Sequence, residues 1–131
     1  ILDFDNFKSV NDTLGHVGGD EALKLLGDTM KQVFGSSAVL GRYGGDEFVI
    51  GFNEKNMGIV NDRFKELVTR MDRKLEHGGE SVAMSISVGV VVVDKNVEYD
   101  DLFKAADAVL YEVKEKGKNS YMIKHYEDMD M

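Results

Sequence analysis

The chain has 131 residues, 24 acidic against 16 basic side chains, and a net charge of −8. That length predicts a single domain with a real hydrophobic core, and the acidic balance argues against duplex nucleic acid or an anionic membrane surface as a partner. There is no cysteine, which excludes disulfides and thiolate metal sites; with no long apolar run and no secretory pattern, the expected location is the cytoplasm.

Ile1-Leu2-Asp3-Phe4-Asp5 reads as the end of an apolar strand with carboxylates at its C-terminal edge. The polar stretch that follows keeps Phe7, Val10 and Leu14 at helical spacing. A helix is predicted over 20–34, with Asp20 as N-cap and Leu23, Leu26, Met30, Val33 and Phe34 as its apolar stripe. Strand-like runs over 37–43 and 48–52 flank Gly44-Gly45-Asp46-Glu47. Gly-Gly between strands predicts a hairpin with positive φ at both glycines. A tip without side chains also lets a large polar ligand approach the backbone. Asp46 and Glu47 behind it are candidate metal ligands, and strand alternation would send them to opposite faces.

Residues 56–76 repeat the helical period with Val60, Phe64, Leu67, Val68, Met71 and Leu75, and His77-Gly78-Gly79 is predicted to stop that helix. Residues 82–93 alternate as one strand. A last helix, capped by Asp100 or Asp101, carries Leu102, Phe103, Ala106, Val109, Leu110 and Val113, with Lys114, Lys116 and Lys118 in or near its final turn. Gly117 ends it, and Tyr121-Met122-Ile123 is a short final strand. The domain is expected to span 1–124, with 125–131 an acidic, frayed tail.

This order predicts an α/β (α+β) fold of ferredoxin-like, nucleotidyl-cyclase palm-like type, with a mostly antiparallel central sheet flanked by helices and a truncated first strand. In that topology the first strand lies beside the strand after the hairpin, which sets Asp3 opposite Asp46.

Taken together, Asp3-Phe4-Asp5-x-Phe7-Lys8-x-Val10-Asn11-Asp12-x-x-Gly15-His16-x-x-Gly19-Asp20, Arg42-Tyr43-Gly44-Gly45-Asp46-Glu47-Phe48, Ser87-Val88-Gly89 and Ala106-Asp107-Ala108-Val109-Leu110-Tyr111-x-x-Lys114-x-x-Gly117-Lys118-Asn119 resemble the GGDEF family, the diguanylate cyclases. The resemblance implies condensation of two GTP into cyclic di-GMP by two domains meeting face to face. It implies Mg²⁺, or Mn²⁺, on Asp3, Asp46 and the Phe4 carbonyl, and catalytic roles for Asp46 and Glu47. It implies guanine recognition by Asn11 and Asp20, with His16 bracing their loop. Gly44 and Gly45 would clear room for the nucleotide, and Lys8, Lys114 and Lys118 would meet the triphosphate. Asn11 and Asp20 also suit helix capping, and the lysines also suit a solvated surface.

The chain departs from the family in two respects. An Arg-x-x-Asp inhibition motif, which the family often carries before the turn, is replaced by Gly35 and Ala38, so product inhibition through that site is not expected. The first strand is expected to be incomplete, with the N-terminal helix missing. An upstream sensory domain is the expected regulatory partner. Two rival readings are a catalytically inactive GGDEF module binding GTP or a protein partner, and a polymerase-like palm acting on nucleic acid, which the acidic surface disfavours.

Overall fold

Leu2 and Phe4 are buried and Asp3 between them is not, the alternation of a strand that separates two layers. In the computed structural model, which describes residues 1–129, that strand is β1 (Leu2–Phe4). It is followed by α1 (Phe7–Phe34), β2 (Ala38–Gly44), β3 (Glu47–Phe52), α2 (Met57–Met71), β4 (Arg73–His77), β5 (Glu80–Met84), β6 (Ile86–Val92), α3 (Tyr99–Glu115) and β7 (Ser120–His125). Single 3₁₀ turns lie at Gly35–Ser37 and Tyr126–Asp128. The tail expectation for Asp130 and Met131 lies outside the described residues.

The main sheet has the order β2-β3-β1-β6-β7, antiparallel throughout except for the parallel β6–β7 pair. The mixed α/β architecture and the place of β1 beside β3 agree with expectation. Leu2, Phe4, Phe48, Ile86 and Val88 join the apolar faces of α1 and α2 in one core. The other face of the sheet carries α3. A Cβ on Gly89 would lie 2.3 Å from the Leu110 nitrogen and 2.5 Å from the Ala106 oxygen, so α3 packs backbone to backbone on β6. Asp3, Glu47 and Ser87 are neighbours in register on that face, under α3.

Three local expectations are corrected. The helix predicted over 56–76 ends at Met71, and residues 73–77 form β4, which pairs with β5. Leu75 fits both the helical spacing from Met71 and the inward position of a short strand, so one apolar residue could not decide between them. Gly78 (φ 60°) and Gly79 (φ 84°) form the tight turn of that hairpin instead of a helix stop. The strand predicted over 82–93 is two strands, β5 and β6, which divide at Ser85.

The third correction concerns Asp20. The helix resumes directly after Gly15 (φ 73°, ψ 178°), the one non-helical residue inside α1, so Asp20 lies within a helix and not at its cap. Gly18 and Gly19 permit the bend: a Cβ on Gly18 would sit 2.3 Å from the Leu14 Cβ, and one on Gly19 would overlap the Asn11 side chain at 1.9 Å.

Candidate active site

β1 ends where β3 begins, and that junction gathers the carboxylates. Asp3 pairs in register with Glu47. Asp46 belongs to the β2–β3 turn, so the alternation argument that parted it from Glu47 does not apply. In that turn Gly45 alone has positive φ (39°), and the Arg42 Nε donates to its carbonyl at 2.8 Å. The two-residue connection therefore needs one glycine at its first central position, not two. Gly44 closes β2 opposite Glu47, after an irregularity at Tyr43.

Burial raises the Asp3 carboxyl from 3.8 to about 6; the adjoining Asp46 carboxyl pushes the same way and the Lys114 ammonium opposes both. Glu47 is also raised, by burial first and then by Asp107 and Asp46. Lys114 reaches across from α3. Its Nζ lies 3.3 Å from Asp3 Oδ2, 3.7 Å from Asp5 Oδ1, and donates to the Phe4 carbonyl at 3.2 Å.

Asp5 is read from the sequence as a strand-edge carboxylate with no role of its own, and the structure gives it one. Its side chain is 6% exposed. It accepts from Ser85 Oγ and Ser87 Oγ at 2.5 Å each and from the Asn119 backbone N–H at 3.0 Å. This ties β1 and β6 to the turn after α3, where Gly117, Lys118 and Asn119 all have positive φ. Lys118 is thereby held at the near edge of the site, exposed.

The helical spacing of Phe7, Val10 and Leu14 agrees with the start of α1, but nothing in the sequence assigns Asn6 a role. Asn6, its N-cap residue, makes no capping hydrogen bond; its Nδ2 instead donates to the Ala83 carbonyl at 2.6 Å. The first N–H groups of α1 are left for an anion, and exposed Lys8 stands in that first turn. Further along α1, Asn11 lies against the bare backbone of Gly19, next to exposed Asp20. His16 is exposed just past the Gly15 break and makes no described hydrogen bond. The structure thus brings Asp3, Phe4, Asp46, Glu47 and Lys114 together, with Lys8 and Lys118 at the rim and Asn11, His16 and Asp20 farther along α1.

The donor set fits a hard divalent cation. Asp3 Oδ1 is buried with no hydrogen-bond partner among the described residues, and an ammonium already sits on Asp3 Oδ2 and the Phe4 carbonyl. Among the described residues no three His, Cys, Asp or Glu side chains cluster as a cage. Mg²⁺ sites typically use one or two carboxylates and leave the rest of the octahedron to water and phosphate. A cavity of about 990 Å³ lies elsewhere: it opens between β3 and β6 beyond Ile1, is lined by residues such as Ile50, Phe52, Val90 and Val92, and includes none of these site residues. No helix among the described residues is long and apolar enough to cross a membrane.

Comparison with known proteins bears on the fold and the family. Residues 1–120 match the family described as "Diguanylate cyclase, GGDEF domain". The chain is 36% identical over 121 residues to diguanylate cyclase DosC of Escherichia coli K12, covering 91% of this chain and 26% of that protein. It therefore spans about a quarter of that curated relative's length. The fold is similar to the GGDEF domain of DgcB from Caulobacter crescentus, solved in complex with c-di-GMP (TM-score 0.82, 28% identity, 93% of this chain and 74% of that one). It is also similar to the active GGEEF domain of a diguanylate cyclase from Vibrio cholerae (TM-score 0.81, 27% identity, 93% and 78%).

Proposed function

The chain belongs to the GGDEF family of diguanylate cyclase domains, and we propose that it converts two GTP into cyclic di-GMP and two pyrophosphates as one half of a face-to-face homodimer. The observation that carries this reading is the convergence of Asp3, the Phe4 carbonyl, Asp46 and Lys114 beside the uncapped start of α1. Carboxylates for a cation and N–H groups for an anion stand side by side, as a metal–nucleotide substrate requires.

Asp3, Asp46 and the Phe4 carbonyl hold Mg²⁺, with Mn²⁺ as a substitute. When bound, the ion supplies positive charge to the reacting α-phosphate and to the departing pyrophosphate. The α1 N-terminus, Lys8, Lys114 and Lys118 bind the triphosphate and fix its orientation. Asn11 and Asp20 read the guanine edge: a carboxylate accepts from N1–H and the exocyclic amine, and an amide serves O6. His16 braces that stretch of α1, and Gly44 and Gly45 leave the hairpin tip bare for the nucleotide. The 3′-hydroxyl of each GTP attacks the α-phosphorus of the other; two P–O bonds to ribose form in turn, each bond to pyrophosphate breaks so that two pyrophosphates leave, and Asp46 of each domain takes a hydroxyl proton. Glu47 stands beside it, its carboxyl raised by burial and by its acidic neighbours. Each domain holds one GTP, so the second copy completes the reaction. In the parent protein an upstream regulatory domain sets that pairing, on the cytoplasmic side where GTP is found.

The test is product formation from GTP and Mg²⁺ by the parent protein held as a dimer. Asp46→Asn is expected to lower turnover by about 100-fold or more while GTP still binds. GTP binding without any cyclic dinucleotide from the unmutated dimer would overturn the cyclase reading. Cyclic di-GMP is not expected to inhibit through residues 35–38, where Gly35 and Ala38 offer it no side-chain donor; inhibition relieved by mutation there would contradict this.

A further inference from the structure

Lys114 is a phosphate ligand in the reading above, yet its ammonium rests on the groups assigned to the metal. It lies 3.2 Å from the Phe4 carbonyl oxygen, which is assigned to the divalent ion, and 3.3 Å from Asp3 Oδ2, in the same carboxylate as the bare Oδ1. A cation of radius and charge like Mg²⁺ approaches such oxygens to about 2.1 Å. An ammonium and a divalent ion drawing on the same Asp3 carboxylate and the same Phe4 carbonyl stand at close range, where their charges repel.

We propose that the Lys114 ammonium is a resident counter-ion of the metal site, and that ammonium and divalent cation exclude each other there. Without metal, Lys114 neutralises Asp3 and occupies the Phe4 carbonyl. Metal entry releases it from both. It does not swing free, because Asp5 stays behind as a partner: Oδ1 is 3.7 Å away, in a carboxylate fixed by Ser85, Ser87 and the Asn119 amide. The released ammonium then stands beside the site with its charge available to the triphosphate. Lys114 thus links the two halves of substrate binding: the metal frees the phosphate ligand, and phosphate captures the ammonium that would otherwise compete with metal. The proposal rests on the divalent-cation reading.

Mn²⁺ binding measured by electron paramagnetic resonance without nucleotide tests it. Lys114→Met is expected to bind Mn²⁺ at least about tenfold more tightly than the unmutated protein, because a competing cation is gone. Lys118→Met, which removes a charge nearby but not from the donors, is expected to change affinity by less than about threefold. Equal or weaker binding by Lys114→Met, or an equal gain in Lys118→Met, would overturn the exclusion. If Asp3→Asn fails to weaken Mn²⁺ binding, the divalent site itself is wrong and the exclusion falls with it. A measurement on the unmutated protein covers the case of a misfolded variant. In ¹⁵N-lysine side-chain spectra, Mg²⁺ must shift the Lys114 ammonium signal without nucleotide; an unmoved signal at saturating Mg²⁺ refutes the proposal.

Discussion

Asp5→Ala removes the acceptor on which the edge of the site is hung. Asp5 takes hydrogen bonds from Ser85 Oγ, Ser87 Oγ and the Asn119 N–H and pairs with Lys114. A hydrogen bond to a charged group is worth about 1.5–3 kcal/mol. The three do not add in full: Asn119 is exposed and recovers water, whereas Ser87 is fully buried and cannot. The turn that Asp5 holds also carries two non-glycine residues at positive φ, Lys118 (65°) and Asn119 (49°), a conformation that costs about 1–2 kcal/mol each and persists only while something enforces it. A loss of about 3 kcal/mol is therefore expected. At about 4 °C per kcal/mol for a domain of this size, the Tm should fall by about 12 °C in a thermal melt followed by circular dichroism. Asp5→Asn, which keeps the shape and one acceptor, should fall about half as far. Amide exchange adds a local readout: the Asn119 N–H should lose protection in Asp5→Ala before the centre of α1 does. A Tm within about 3 °C of the unmutated protein would show that water replaces the carboxylate at little cost and would refute the account of Asp5 as the anchor.

Gly89→Ala drives a Cβ to 2.3 Å from the α3 backbone at Leu110. Because backbone cannot rotate aside, α3 must lift and carry Lys114 with it; a stability loss of about 2–3 kcal/mol in urea unfolding is expected, and a neutral result would place α3 farther from β6. Gly19→Ala meets the Asn11 side chain, 1.9 Å from Oδ1 and 3.0 Å from Cγ, with Phe7 Cζ 3.4 Å away. It should cost under about 1 kcal/mol in stability, yet weaken GTP binding about tenfold by calorimetry, since Asn11 must leave its place; unchanged GTP affinity would remove Asn11 from the guanine contact. The Asp3 carboxyl is raised in the folded protein, from 3.8 to about 6. The folded state thus holds this proton more tightly than the unfolded state does. Its stabilising contribution is complete below about pH 4 and is lost as pH climbs through about 6. The Tm of the metal-free protein should show that decline, Asp3→Asn should lack it, and Mn²⁺ affinity should fall as pH drops below about 6 because the ion needs the ionised carboxylate. A flat Mn²⁺ affinity between pH 5 and 7 would contradict the assignment of Asp3.

What was legible in the sequence was the chemistry that glycine and carboxylate impose locally. The β2–β3 hairpin followed from turn chemistry, although the turn is Gly45-Asp46 and only Gly45 takes positive φ, and the pairing of β1 with β3 followed from topology. Leu75 was not legible, because one apolar residue satisfies a helical and a strand period alike, and the Gly78-Gly79 signal ends a helix or turns a hairpin equally well. The two halves of α1 were legible as helix-forming segments, but the break at Gly15 and the resumption just after it depend on Gly18 and Gly19 letting Leu14 and Asn11 close in, a contact that no spacing rule reports. Asp5 shows the deeper reason. Residues two apart at a strand end point to one face, so Asp3 and Asp5 are alike in sequence and both meet Lys114. Their roles part through residues that arrive from afar. Ser85, Ser87 and Asn119 stand 80, 82 and 114 positions away and saturate Asp5. Asp3 faces β3 and the hairpin, where Asp46 repels it, and is left with an unsatisfied oxygen. A carboxylate already filled with hydrogen bonds is a poor metal ligand, and one with a bare oxygen is a good one. The partners thus assign the metal to Asp3 and the anchoring to Asp5.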